Sequence, residues 1–255
     1  MDILRAENLD KNFGGLQILH GVSFNVETGQ KLALIGPNGA GKTTLLNVIG
    51  GQLTASGGKI FFDEKEITSL TPERRLHLGL ARSYQINNLF FHLSVLDNML
   101  LALYGAEKFH FQMFSYLETR KDLLLKAQEL LETVSLWERR KDILSTLSYG
   151  DQRLIELAFS FASKPKMILL DEPSAGLPTA EADSFADTIR RLSVNTTLIF
   201  CAHDMDLVFN LADQIMVLYF GQILAKGLPQ DIRSNSKVQE IYLGSGETAH
   251  NVGTC

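Results

Sequence analysis

Cysteine is scarce. The chain has two in 255 residues, Cys201 and Cys255, too few for a disulfide framework or a cysteine metal cluster, so a reducing compartment is the expectation. Positive charge is in deficit as well: 24 Lys+Arg against 29 Asp+Glu give a net charge of −5. That balance argues against a protein that grips nucleic acid by neutralising its phosphates. Long apolar runs are missing too. The greasiest stretch, residues 95–104, is interrupted by Asp97 and Asn98 and falls short of the roughly 20 residues that span a bilayer. Residues 1–7 hold no apolar signal segment, and there are no internal repeats or low-complexity blocks. These absences leave a soluble chain unless a partner holds it at a membrane. It is long enough to bury a full core, as one large α/β unit or as a core with a smaller appended lobe.

What is present begins at Gly36, Pro37, Asn38, Gly39, Ala40, Gly41, Lys42, Thr43 and Thr44, which fit G-x-x-x-x-G-K-[ST], a loop whose backbone N–H groups wrap phosphate oxygens. The setting suits it: residues 31–35 read as a short buried strand and residues 43–49 as the first turns of a helix. Glycine lets bare backbone approach an anion, and the unpaired N–H groups of the helix start face it. Lys42 would reach the β- and γ-phosphates of a nucleotide, Thr43 would offer its hydroxyl to Mg²⁺, and Thr44 reads as a helix-start residue. A Gly-rich turn that merely joins strand to helix is the bland alternative.

Upstream of the loop, residues 3–9 and 22–26 alternate apolar and polar, and residues 59–62 form another such run after Ser56, Gly57 and Gly58. They predict a small, mainly antiparallel layer. Thr71 and Pro72 start a helix, and a strand over 81–84 leads to Gln85. From 87 to about 162 the period is helical, over 95–103, 120–135 and 152–162, with no convincing strand between. Strand and helix then alternate: 167–170, 180–192, 196–201, 205–211, 215–219 and 222–225. That alternation predicts a parallel sheet resuming the core begun at Lys31. The organisation expected is one unit over 1–244, with a core of 1–86 and 163–244 and a helical subdomain over 87–162. The small, polar residues 245–255 read as a disordered tail.

The apolar strand over 167–170 ends in Asp171 and Glu172. A strand end beside a phosphate loop is where a Mg²⁺ partner would sit, and Asp171 is the candidate. Glu172, one residue on, points elsewhere and could accept a proton from an attacking water. Taken alone, such a pair is as often a capped loop.

With these residues and the stretch Leu147, Ser148, Tyr149, Gly150, Asp151, the chain resembles the nucleotide-binding subunit of an ATP-binding cassette transporter, from about Ile3 to Gly244. The resemblance implies an α/β fold: a P-loop NTPase, RecA-like core with an antiparallel β subdomain and an inserted helical subdomain. It implies that Gln85 ligates Mg²⁺ or the water, that His203 contacts the γ-phosphate and holds Glu172, and that Phe13 stacks on adenine. Outside that company, a lone His, Gln or Phe is more often structural. It implies too that Ser148 and the Gly150 N–H, at a helix N-terminus, take the γ-phosphate of ATP bound to a second ATPase subunit. The remaining partners implied are transmembrane permease subunits and, indirectly, a substrate-binding protein, with no nucleic acid. The location implied is the cytoplasmic face of the membrane, without a transmembrane segment.

Three positions depart from the family's commonest pattern. Tyr149 and Asp151 stand where Gly and Gln are usual, and Pro178 replaces an aspartate. Asp151 suits a helix N-terminus but would repel a phosphate it faced, so its side chain is expected to turn away. These departures, with residues 231–235 and 241–244, resemble the importers of branched-chain amino acids and of urea and amides. Phe90 and Phe91, just past Gln85, are either core anchors or an apolar dock for the permease. The rivals are a soluble cassette ATPase of DNA repair, translation or assembly, and a nucleotide-gated regulatory module.

Overall fold

Alternating burial builds the first layer. In the computed structural model, which describes residues 1–83, 89–106 and 121–244, β1 (Asp2–Phe13) and β2 (Leu16–Glu27) form a long hairpin that turns at Gly14 and Gly15. β4 (Gly57–Phe62) pairs with β1, and β5 (Lys65–Glu66) with β4, all antiparallel, in the order β2-β1-β4-β5. Leu4, Leu9, Leu19, Val22, Val26, Ile60 and Phe62 are buried. Burying an aliphatic or phenyl side chain of this size contributes about 1.5–3 kcal/mol. Both hairpin strands outrun their predicted lengths because residues 10–13 and 16–18 are only partly buried or exposed. There, main-chain pairing continues without an apolar alternation to announce it.

The second layer is a six-stranded sheet in the order β10-β9-β3-β8-β7-β6. It comprises β3 (Lys31–Ile35), β6 (Leu80–Arg82), β7 (Met167–Asp171), β8 (Thr197–Cys201), β9 (Gln214–Tyr219) and β10 (Gln222–Gly227). Only β10 runs antiparallel to its neighbour. Every residue of β7 and β8 is buried, as expected of parallel strands covered on both faces. Leu32 and Leu34 face one cluster, with α1 (Lys42–Gly50) and the antiparallel layer, whereas Ala33 and Ile35 face the other. That second cluster is completed by α5 (Tyr149–Phe161), α6 (Thr179–Leu192) and α7 (Met205–Leu211).

A third cluster is helical. α3 (Val95–Ala106), α4 (Lys121–Thr133) and α5 bury Val95, Met99, Leu123, Ala127, Leu131 and Ile155 among themselves. α5 is shared: Ile155 and Ala158 belong to this cluster, while Leu157 and Phe161 pack under the sheet. It begins three residues earlier than the periodicity suggests, with Ser148 as its N-cap. The strand expected over 81–84 is observed as Leu80–Arg82. Tyr84 and Gln85 lie outside the described residues, as does the tail over 245–255.

One buried cation ties α2 (Pro72–Leu78) to the end of α1. The Arg75 guanidinium is 1% exposed and donates to the carbonyls of Val48 (2.8 Å), Ile49 (2.5 Å), Leu70 (2.9 Å) and Thr68 (3.0 Å). Burial pulls its pKa down to about 10, which leaves it charged at neutral pH. The last turn of α1 thereby gains a partner for carbonyls that a helix end leaves unsatisfied.

Candidate functional site

In an open parallel sheet, ligands gather outside the carboxyl ends of the strands, and the candidate residues sit there. The phosphate loop follows β3. Gly36 has φ +149°, and a Cβ at this position would overlap the backbone carbonyl of Leu218 on β9, so only glycine fits. Ala40 N–H donates to the Pro37 carbonyl at 3.1 Å, and Leu45 N–H to that of Gly41 at 2.8 Å, closing the loop into α1. Gly41 is the N-cap residue, and the first turn of α1 contains no acidic residue. Nothing in that turn therefore opposes an anion at the helix's positive end.

Lys42 is 8% exposed and turns back to donate to the carbonyls of Gly36 (2.7 Å) and Pro37 (3.1 Å). Its ammonium group is thus held inside the loop, where phosphate oxygens would compete for the same donor. Thr43 Oγ1 lies 3.5 Å from Asp171 Oδ1, at the end of β7. Arg82 on β6 pairs through Nη2 with Asp171 Oδ2 at 3.3 Å and binds Asn47 of α1 and Gln52 through Nη1. Burial pushes the Asp171 carboxyl above the usual carboxylate range and the Glu172 charge adds to that, while the Arg82 guanidinium works against it. Strand, helix and metal-binding candidate are therefore fixed to one another.

Glu172 adopts φ +49°, a left-handed conformation in which few residues other than Gly, Asn and Asp are found and which stores strain of order 1 kcal/mol or more. Two bonds hold it there: its N–H donates to the Cys201 carbonyl at 2.9 Å, and its Oε1 lies 3.1 Å from His203 Nε2. His203 lies two residues past the end of β8. The next residue, Asp204, is the N-cap of α7 and accepts from the N–H groups of Asp206 (2.9 Å) and Leu207 (3.2 Å). The cap fixes the backbone that presents the imidazole.

At the start of α5, Ser148 Oγ accepts from Asp151 N–H at 3.1 Å, which leaves its own hydroxyl hydrogen available to an incoming acceptor. The Asp151 carboxylate does turn aside: Arg139 Nη1 holds it at 2.7 Å while Arg139 Nε takes Asp142 at 2.9 Å. Gly150 packs closely on α6, where an added Cβ would lie 2.6 Å from a carboxylate oxygen of Glu181. Pro178 caps α6 with its backbone and contributes no side-chain hydrogen bond.

Phe13, at the end of β1, is 47% exposed, with Lys11 Nζ 4.9 Å from its ring centroid. The two phenylalanines beyond the undescribed residues part company. Phe91 packs against the helical cluster, whereas Phe90 is 57% exposed and lines a cleft of about 580 Å³ that runs between α3, α5 and the ends of β6 and β7 as far as Glu172. Buried Asn98 clamps this loop, accepting from Phe90 N–H at 2.8 Å and donating to its carbonyl at 3.0 Å.

The structure therefore brings Lys42, Thr43, Asp171, Glu172 and His203 to the carboxyl ends of β3, β7 and β8 and puts Ser148 and Gly150 on a separate helix start. Gln85 lies outside the described residues. Sequence reasoning did not find Arg82, Arg75 or the Asp204 cap. The first two act across chain separations of 89 and 27 residues that no local pattern encodes. The Asp204 cap had a signal in the Asp that opens the apolar run at Met205. Thr43 and Asp171 also make a donor set suited to Mg²⁺, a hard cation that takes one or two carboxylates along with phosphate oxygens and water. Among the described residues, no group of three or more His, Cys, Asp or Glu could hold a metal on protein donors alone.

Comparison with known proteins agrees with this geometry. A model of the ABC transporter family matches residues 19–175, and a model of the branched-chain amino acid ATP-binding cassette transporter matches residues 222–248. The chain is 35% identical over 249 residues to BraF of Pseudomonas aeruginosa, a high-affinity branched-chain amino acid transport ATP-binding protein, covering 95% of this chain and 98% of that one. It is 34% identical over 249 residues to LivG of Escherichia coli K12, which carries the same description, with the same coverage. The crystal structure of the ADP conformation of MJ1267, an ATP-binding cassette of an ABC transporter, superposes with a TM-score of 0.85 at 33% identity, covering 96% of this chain and 99% of that one. Among the described residues, no helix is long and apolar enough to cross a membrane.

Proposed function

The chain belongs to the ABC transporter family, as an ATP-binding cassette with ATPase activity, and from that premise we propose that it drives an importer of branched-chain or other hydrophobic amino acids or related amides. The observation that carries the catalytic part is the convergence of Lys42, the Thr43–Asp171 pair and the Glu172–His203 pair at the ends of β3, β7 and β8. The cargo class rests on the match over residues 222–248 and on the descriptions of BraF and LivG.

The roles follow from position. The loop N–H groups from Gly36 to Thr44 and the start of α1 hold the phosphates, and Lys42 exchanges its loop carbonyls for β- and γ-phosphate oxygens. Phe13 offers its exposed ring to adenine. Thr43 and Asp171, with Gln85, would hold Mg²⁺, which when bound neutralises phosphate charge. Glu172 takes the proton of the attacking water. His203 keeps that carboxylate aimed and donates to the γ-phosphate. Ser148 and the Gly150 N–H receive the γ-phosphate of ATP held by a second ATPase subunit, so that ATP binding and subunit contact are one event. The chain works at the cytoplasmic face of the membrane, where the cleft beside Phe90 receives a segment of the permease. The 1–86 and 163–244 core carries nucleotide, and the 87–162 helical part carries the permease contact.

The test is Glu172→Gln. Turnover should fall by about 10²- to 10⁴-fold, the usual reach of general-base loss, with ATP affinity unchanged. The trapped protein, isolated from detergent-solubilised membranes, should bring polytopic permease subunits with it. Wild-type turnover in the variant would refute the role of Glu172, and recovery of only soluble or nucleic-acid-associated proteins would favour a soluble cassette ATPase.

A further inference from the structure

Tyr149 is the first residue of α5 and follows Ser148 directly. Its hydroxyl makes two hydrogen bonds to different parts of the chain. It accepts from Arg153 Nε at 2.9 Å and donates to the Ala175 carbonyl at 3.1 Å. The direction is set by chemistry: an Arg N–H can only donate, so the phenolic hydrogen is left for the carbonyl, and a cationic donor on the phenol oxygen strengthens the bond it makes in turn. Arg153 is itself braced, with Nη1 2.7 Å from Glu156 Oε2 and its guanidinium 5.2 Å from the tyrosine ring centroid.

Ala175 is not an arbitrary anchor. Its N–H donates to the Glu172 carbonyl at 3.0 Å, closing a four-residue turn whose first member is the strained, left-handed Glu172. The next residue, Gly176, has φ +81°, and a Cβ there would sit 3.0 Å from the Tyr149 hydroxyl oxygen, so the phenol fits against bare backbone. A continuous path of three hydrogen bonds, from Arg153 to Tyr149 to Ala175 to Glu172, thus joins the start of α5 to the backbone of the proton acceptor.

We infer that Tyr149 is a positioning residue that couples the two ATP sites of the dimer. A phosphate seated at Ser148 and Gly150 pulls on the start of α5, Tyr149 transmits that shift to Ala175, and the turn sets how Glu172 meets the water at this chain's own ATP. The inference rests on the functional reading above, because it needs a partner's γ-phosphate at the α5 N-terminus.

The experiment is steady-state ATP hydrolysis by the full-length protein, wild type against Tyr149→Phe and Arg153→Met. Tyr149→Phe keeps the ring and its cation–π contact and removes the hydroxyl. Its kcat should fall about 10-fold, in keeping with a small misplacement of a catalytic group, while KM for ATP stays within about two-fold. The Hill coefficient for ATP, which the inference requires to exceed 1 in the wild type, should drop to 1. Arg153→Met should move both parameters the same way by a smaller factor. In the Glu172→Gln background, ATP-driven dimerisation should be unaltered by Tyr149→Phe. Unchanged kcat and Hill coefficient in Tyr149→Phe, a wild-type Hill coefficient of 1, or loss of ATP-driven dimerisation would overturn the inference and leave the ATPase reading intact. A folded wild-type protein with no ATP turnover would overturn both.

Discussion

The two halves of the candidate site are built on opposite plans. The phosphate-loop half, from Gly36 to Asp171, is held by contacts that leave little room to move: Gly36 is pressed against the Leu218 carbonyl, the buried Arg75 clamps the end of α1, and Arg82 bolts the buried Asp171 to Asn47. The other half, at Ser148 and Gly150, sits at the start of a helix approached by the side-chain tips of Arg139 and Glu181 and tied to the Ala175 carbonyl through the hydroxyl of one side chain, Tyr149. The first half is fixed by close packing and a buried ion pair, whereas the second is held by more exposed side chains that can yield.

The same chemical change should therefore have unequal consequences in the two halves. Gly36→Ala meets an immovable carbonyl and an unfavourable φ, so ATP affinity should fall by at least about 100-fold, and stability by roughly 2–4 kcal/mol. Calorimetric titration and thermal unfolding would measure both. Gly150→Ala meets only the tip of Glu181 and gains helix propensity, so its unfolding free energy should stay within about 1 kcal/mol while dimer-dependent turnover drops. Equal damage to stability at the two positions would erase the contrast.

Next in size is Arg75→Met. It keeps the stem but leaves the carbonyls of Val48, Ile49, Leu70 and Thr68 without their donor, which should cost about 3 kcal/mol in chemical denaturation, the upper range for a buried group stripped of its partner. Smallest are the phenylalanines. Phe91→Ala, against the helical cluster, should lower stability by about 1–2 kcal/mol for its partly buried ring. Phe90→Ala, exposed on the cleft, should shift it by less than about 0.5 kcal/mol yet reduce permease recovery in co-purification. A stability loss at Phe90 matching that at Phe91 would make both core anchors.

That difference in construction also explains what could be read in advance. The phosphate loop and the end of β7 are legible because each is a short run with its own period or composition, and the strand–helix alternation after Met167 follows from apolar patterning alone. The family resemblance, carried by residues in the expected order, supplied the roles of His203, Ser148, Gly150, Gln85 and Phe13. The long-range bonds were not legible: Arg82 to Asp171 and Tyr149 to Ala175 join distant segments, and no spacing rule marks which arginine or tyrosine will reach. Nor is the left-handed backbone of Glu172 legible, since glutamate is not a residue that ordinarily signals a positive φ. The hairpin ends at Phe13 and Leu16 were missed because their side chains face solvent, and pairing of main chain leaves no trace in hydropathy.

α5 holds a further consequence. Because Ile155 and Ala158 belong to the helical cluster and Leu157 and Phe161 to the sheet, this one helix is an axle shared by both. A rotation of the helical layer against the sheet cannot slide over α5 as over a smooth surface. It must carry α5 along or repack it, and in either case Ser148 at its tip swings through an arc set by where on the helix the two cores trade places.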